Sequence, residues 1–163
     1  MTSKPHLKQM AQSGAADADV VQWNNTSGVW VPAAKSIYQT TFDQITSDTT
    51  TTSTTFTAFL SRTLTTGARN IIILFSVSAS CAGDQESGFF EVRLDATTLR
   101  TTGLTFRNPS PRTHSASLIY KVAVTAASHT VDVRWRVTGS TIQVRPVAEL
   151  DQEHASLIIA EVP

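Results

Sequence analysis

The residues of this chain that could do chemistry are few and scattered. Four histidines, His6, His114, His129 and His154, stand far apart. The tightest grouping of acid and imidazole is Asp151, Glu153 and His154. It could hold a metal weakly or form an acid–base pair, yet as a polar stretch ahead of an apolar strand it reads more simply as a solvated loop. Asp84, Gln85 and Glu86 bring oxygen ligands together. Their spacing lacks the alternation of an EF-hand calcium loop, so a solvated turn is expected. With 17 serines a Ser–His–Asp set can always be drawn on paper. However, no Gly-x-Ser-x-Gly elbow places a serine as nucleophile. Nor does a Gly-rich loop ending in Lys-Ser or Lys-Thr cradle a phosphate. Arg134, Arg136 and Arg145 could share one sheet face and meet a carboxylate or a glycan; a solvated outer face is the plainer reading. Cys81 is the only cysteine, which excludes an intramolecular disulfide and any zinc site built on several thiolates. It is expected to be inert at a strand end. We therefore expect no catalytic residue, no metal and no cofactor, and a protein that is not an enzyme.

The elements that must position these residues follow from composition. The chain has 163 residues, with 13 Lys+Arg against 13 Asp+Glu, so no bulk charge is available to grip nucleic acid or an anionic membrane. Thr and Ser supply 25 and 17 residues, Val and Ile 14 and 9. The β-branched types among them suit a pleated, half-buried surface. Ile71–Phe75 is the longest strictly apolar run, far too short to span a bilayer as a helix. The opening residues, Met1 to Lys8, carry no apolar stretch of the signal-peptide kind. The sequons Asn24-Asn25-Thr26 and Asn25-Thr26-Ser27 then mean only a surface loop.

Residues 1–36 differ from the rest. The first 19 are polar and without period, and read as an extended arm. Val20-Val21-Gln22-Trp23 and Val29-Trp30-Val31-Pro32 flank a turn-prone Asn24–Gly28, which predicts a short β-hairpin. A lone hairpin is marginal in water, so it must pack on something. From residue 37 onward the pattern is strand, turn, strand. Extended segments are expected over 37–45, 56–64, 71–80, 89–94, 99–106, 117–125, 130–138, 141–147 and 155–162, with a polar connector over 47–55. In 130–138, Val131, Val133, Trp135 and Val137 point one way and Asp132, Arg134 and Arg136 the other. Nine strands with no helix between them predict an all-β, two-sheet jelly-roll β-sandwich.

Two segments, 71–75 and 157–162, are apolar on both faces. A two-layer sandwich leaves one face of each sheet wet, so a second apolar face predicts a further contact. The simplest is self-association around a symmetry axis, through Ile72, Leu74, Leu157, Ile158 and Ile159. The alternative is that the arm or hairpin covers that face.

The hairpin Val20–Pro32, with its Val-Val-Gln-Trp-Asn and Trp-Val-Pro halves, resembles the two-tryptophan hairpin of tailed-phage head-decoration, head-fibre and tail-fibre proteins. Ser128–Val137 and Ala155–Glu161 look like the last strands of the trimeric jelly rolls, similar to the tumour-necrosis-factor fold, that cap such proteins. The resemblance implies a virion structural protein at the virion surface, made in the host cytoplasm. Residues 1–36 would be the anchor, with Val20, Val21, Trp23, Trp30 and Val31 meeting the major capsid protein or another virion protein. Residues 37–163 would be a homotrimeric jelly roll. No repeat long enough for a fibre shaft is present, which favours capsid decoration or a short head fibre. The alternative is a tail-fibre tip that binds a receptor glycan. Neither nucleic acid nor membrane is expected as a partner.

Overall fold

The computed structural model describes residues 20–24, 26, 28–33, 39–107, 113–144 and 154–162. The chain divides into two compact units, Met1–Ile37 and Tyr38–Pro163. In the first, β1 (Val20–Asn24) and β2 (Val29–Ala33) form an antiparallel ribbon with Trp23 directly opposite Trp30. Gly28 carries a φ of 65°, the left-handed conformation that the turn between these strands uses glycine to reach. The expected extended arm, 1–19, lies outside the described residues.

The second unit is all-β, as the threonine- and valine-rich alternation predicts. Its strands are β3 (Thr40–Gln44), β4 (Thr49–Thr51), β5 (Thr57–Thr65), β6 (Arg69–Cys81), β7 (Glu86–Leu94), β8 (Thr97–Phe106), β9 (His114–Val124), β10 (Ser128–Val137), β11 (Ile142–Val144) and β12 (His154–Val162). Two antiparallel sheets pack face to face. One runs β5-β10-β7-β8. The other is six-stranded: β12 lies between β3 and β6, β9 pairs the opposite edge of β6, and β11 joins β4 to the end of β6. β4 and β11 continue the lanes of β3 and β12, so six strands fill four lanes. Cys81 pairs Ile142 and Ser78 pairs His154, three steps along β6 against twelve along the neighbouring lane.

The core lies between the sheets. Ile71, Ile73, Phe75 and Val77 of β6 and Ala155, Leu157 and Ile159 of β12 meet Phe90 and Val92 of β7 and Val131, Val133, Trp135 and Val137 of β10. Phe75 and Phe90 join the two layers with ring centroids 5.6 Å apart. Phe59 interrupts the alternation of its own strand, and a β-bulge explains it. Val133 pairs Leu60 while the next residue, Arg134, pairs Ala58, so Phe59 is the extra residue. It stacks on Trp135 at 4.3 Å and packs against the core. The expected polar connector 47–55 is not featureless: it contains β4, and its Ser53 carbonyl accepts the Val137 N–H at 2.8 Å.

One open side of the sandwich is clasped. Arg62 of β5 donates from Nε to the Phe42 carbonyl at 3.0 Å and pairs with Asp43 at 3.2 Å, both on β3. An inward-turned charge and an occupied carbonyl blunt that edge.

Candidate functional site

The surface that stands apart is the outer face of the six-stranded sheet. Because side chains alternate, the residues of β6 that flank the core positions point outward: Asn70, Ile72, Leu74, Ser76 and Ser78. The register carries this face across all four lanes. Phe42 pairs Ile158, Ile158 pairs Leu74, and Leu74 pairs Ile119. The result is one straight apolar row from edge to edge of the sheet. Phe42, Leu74 and Ile119 are 47%, 36% and 70% exposed, and they are the exposed large hydrophobic residues among those described. That all three fall on one row is what distinguishes it from the scattered exposed apolar residues of an ordinary surface.

The row has defined flanks. On one side lie Thr40, Ala160, Ile72 and Lys121; on the other lie Gln44, Ser156, Ser76 and Ser117. Ser76 and Ser156 hydroxyls bond each other at 2.9 Å, and Ser78 bonds Ser115, so these four hydroxyls are partnered within the sheet. Among the described outward positions of β3, β6, β9 and β12, Lys121 and His154 are the only titratable side chains, and none is acidic. The outer face of the other sheet is its opposite. There the register sets Arg134 beside Glu91 and Asp132 beside Arg93. Arg136 lies over the Phe89 ring at 4.2 Å and the Phe56 ring at 5.3 Å, and Arg134 donates to the Phe56 carbonyl. Arg134 and Arg136 thus share a face occupied by internal partners; Arg145 lies outside the described residues.

The residues expected at an interface between copies divide accordingly. Ile72, Leu74 and Ile158 are on the outer face. Leu157 and Ile159 are corrected: both are 0% exposed, inside the sandwich of a single chain. The pleat is the reason, since neighbours along a strand cannot face the same side without a bulge. Phe42 and Ile119 were not legible as members. Ile119 was one apolar residue out of phase with Leu118 and Tyr120, and Phe42 one aromatic in a threonine run; only pairing aligns them. Val20 and Val21 occupy β1, Trp23 and Trp30 are register partners, and Val31 pairs Gln22.

The residues weighed for chemistry are held otherwise. His129 is 8% exposed. Its Nδ1 meets Asp95 Oδ2 at 2.6 Å and its Nε2 meets the Thr125 carbonyl at 3.1 Å, so the second nitrogen faces a backbone oxygen and not a serine. The hydrogen bond that His129 donates to Asp95 raises the His129 pKa above 6.5 against the opposing effect of burial, and the same bond lowers that of Asp95. His114 sits edge-on to Phe106, and Cys81 is buried in the core. Asp84 and Gln85 line an open cleft with Thr105 and Arg107. Among the described residues no three His, Cys, Asp or Glu side chains converge as metal ligands; Asp151 and Glu153 lie outside them. No helix among the described residues is long and apolar enough to cross a membrane.

The sequence matches no protein-family model and no curated protein.

Proposed function

We propose that the chain is a self-associating structural subunit, a homotrimeric capsid-decoration or short head-fibre protein of a tailed phage, anchored by residues 1–36. The observation that carries self-association is the apolar row Phe42–Ile158–Leu74–Ile119. The described outward positions of β3, β6, β9 and β12, with no acid and with Lys121 and His154 as their titratable groups, offer little to a charged partner and are complementary to themselves. The size of this face suits the role. Four lanes at about 4.8 Å and nine residues at about 3.4 Å make a footprint of roughly 600 Å². Two such footprints make about 1,200 Å², the lower bound of a standard interface.

The stoichiometry of three and the virion setting rest on the resemblance of the Trp23–Trp30 hairpin and the last strands. Two features support it. The hairpin belongs to a unit separate from the sandwich, as an anchor would. The four lanes of one sheet run β3-β12-β6-β9 and those of the other β5-β10-β7-β8. β7–β8 is a hairpin within one sheet, and the chain crosses between sheets at β4–β5, β5–β6, β6–β7, β8–β9, β9–β10 and β10–β11, an order that supports a jelly roll. Three linked anchors would bind with an avidity about 10²–10⁴ above that of one.

The test has two arms. Light scattering on the whole chain should give three times 17.6 kDa, and Leu74→Asp with Ile119→Asp should give a folded monomer. A parent that scatters as a monomer overturns self-association. Empty capsids should retain the whole chain and release residues 38–163; equal retention overturns the anchor. A second reading, a receptor-binding tip, is favoured by one feature. Arg100, Thr101, Thr102, Ser117, Leu118 and Ile119 line a groove between β8 and β9, where hydroxyls and a guanidinium suit a glycan. Binding on a glycan array that Arg100→Ala abolishes would favour it.

A further inference from the structure

The His129 site is built to respond to a proton. Both ring nitrogens face oxygen acceptors, Asp95 Oδ2 and the Thr125 carbonyl. A neutral imidazole carries one N–H and cannot satisfy both. The arrangement therefore fits the imidazolium, which donates from each nitrogen. A second polar atom of Thr125 lies at the same nitrogen: its Oγ1 is 3.5 Å from Nε2. A hydroxyl can donate where a carbonyl cannot, so Thr125 offers one partner for each protonation state.

We propose that His129 is a proton-operated latch at one end of the sandwich. Protonated, it ties the β7–β8 turn to the β9–β10 turn by donating to Asp95 and to the Thr125 carbonyl. When the Nε2 proton leaves to solvent, the bare nitrogen turns from the carbonyl to the Thr125 hydroxyl, and the β9–β10 turn moves with it.

The surroundings make the latch specific. Asp95 also accepts the Thr130 N–H at 2.8 Å and donates its own N–H to the Thr130 carbonyl at 2.9 Å, so its carboxylate is fixed from β10. Arg93, near the end of β7, spends its guanidinium on the Ala96 carbonyl. On β5 the cross-strand neighbour of His129 is Leu64, flanked by Thr63 and Thr65. The β9–β10 turn offers Thr125, Ala126, Ala127 and Ser128, none charged. Arg69, at the start of β6, acts on Glu161. Asp95 is the charged group at the imidazole. Thr66 holds the moving turn from the far side, its hydroxyl donating to the Thr125 carbonyl at 3.0 Å and its N–H to the Ala127 carbonyl at 2.9 Å. Release by His129 therefore shifts this turn without unravelling it.

The test is an NMR titration of the assigned His129 ring on the full chain, with the Thr125–Ser128 amides followed in the same spectra. The parent should titrate above 6.5, and the amides should shift with the same midpoint. The two variants should move it in opposite directions. Asp95→Asn removes the charge that favours the imidazolium and lowers the midpoint. Thr125→Val keeps the carbonyl, removes the hydroxyl that donates to the neutral ring, and raises the midpoint. Thr125→Ser keeps a hydroxyl and should restore it to the parent's. A parent midpoint at or below 6.5, a Thr125→Val midpoint unchanged or lowered, or amides indifferent to the ring overturns the latch. The variants stand far from the apolar row, so this outcome is independent of whether copies associate.

Discussion

Single side chains set the local strain and the local charge of this fold, and two of them are open to measurement. The β7–β8 connection is two residues, Asp95 and Ala96, with φ of 48° and 68°. Hairpins with both central residues left-handed favour Asn-Gly or Asp-Gly, because only glycine avoids the Cβ clash. Asp95 gains its bonds to His129 and Thr130; Ala96 gains nothing from its side chain. Ala96→Gly should therefore stabilise the protein by about 1 kcal/mol in chemical denaturation. At the same end of the sandwich, Glu161 is 6% exposed and accepts the Gln39 N–H at 2.9 Å and the Gly67 N–H at 3.0 Å. These bonds, the one from Gln39 first, hold its pKa below 4.5. A carboxyl whose folded pKa is lowered contributes stability above its unfolded value of 4.5 and loses it as pH falls through the lower folded value. The stability gap between parent and Glu161→Gln should thus be widest near neutral pH and close in acid. An unchanging gap would show that the carboxylate's charge is not what holds Gln39 and Gly67.

At the level of strands, what could be read from the chain was the period. Alternation placed Val131, Val133, Trp135 and Val137 in the core and Asp132, Arg134 and Arg136 outside, and they are so placed. Alternation predicts which face, and not which neighbour. Hence the bulge at Phe59, β4 within its polar connector and the alignment of Phe42 with Ile119 were not legible: each depends on register between segments distant in sequence. Gly88 shows the same limit. It reads as a loop glycine, yet it is buried within β7, and a Cβ there would run into Cδ1 of Ile142 on the facing sheet. The glycine is a packing residue, chosen for its missing volume. Gly88→Ala should destabilise by about 1–3 kcal/mol through overpacking. Ile142→Val removes the obstructing methyl, so the double variant should cost less than the sum of the two single changes. Additivity would mean that the sheets separate there freely.

For the whole molecule, stability and assembly should separate by face. Leu157 and Ile158 are neighbours with opposite duties. Leu157→Ala opens a cavity in the core and should cost about 2–5 kcal/mol of folding stability. Ile158→Asp leaves the core intact and should instead lower the mass seen by light scattering at a given concentration. If copies associate through the apolar row, the melting temperature of the parent rises with protein concentration, since mass action favours the bound, folded state. In Leu74→Asp that dependence should vanish.

The doubled lane beside β6 has a practical corollary. Its two halves are in register with β6 as though continuous, although the chain spends twelve steps from Ile142 to His154 where β6 spends three from Cys81 to Ser78. The register on each side is fixed by β6 itself. Sequence added between Val144 and His154 changes neither pairing, which makes that junction the place to graft an epitope, an affinity tag or an enzyme for multivalent display.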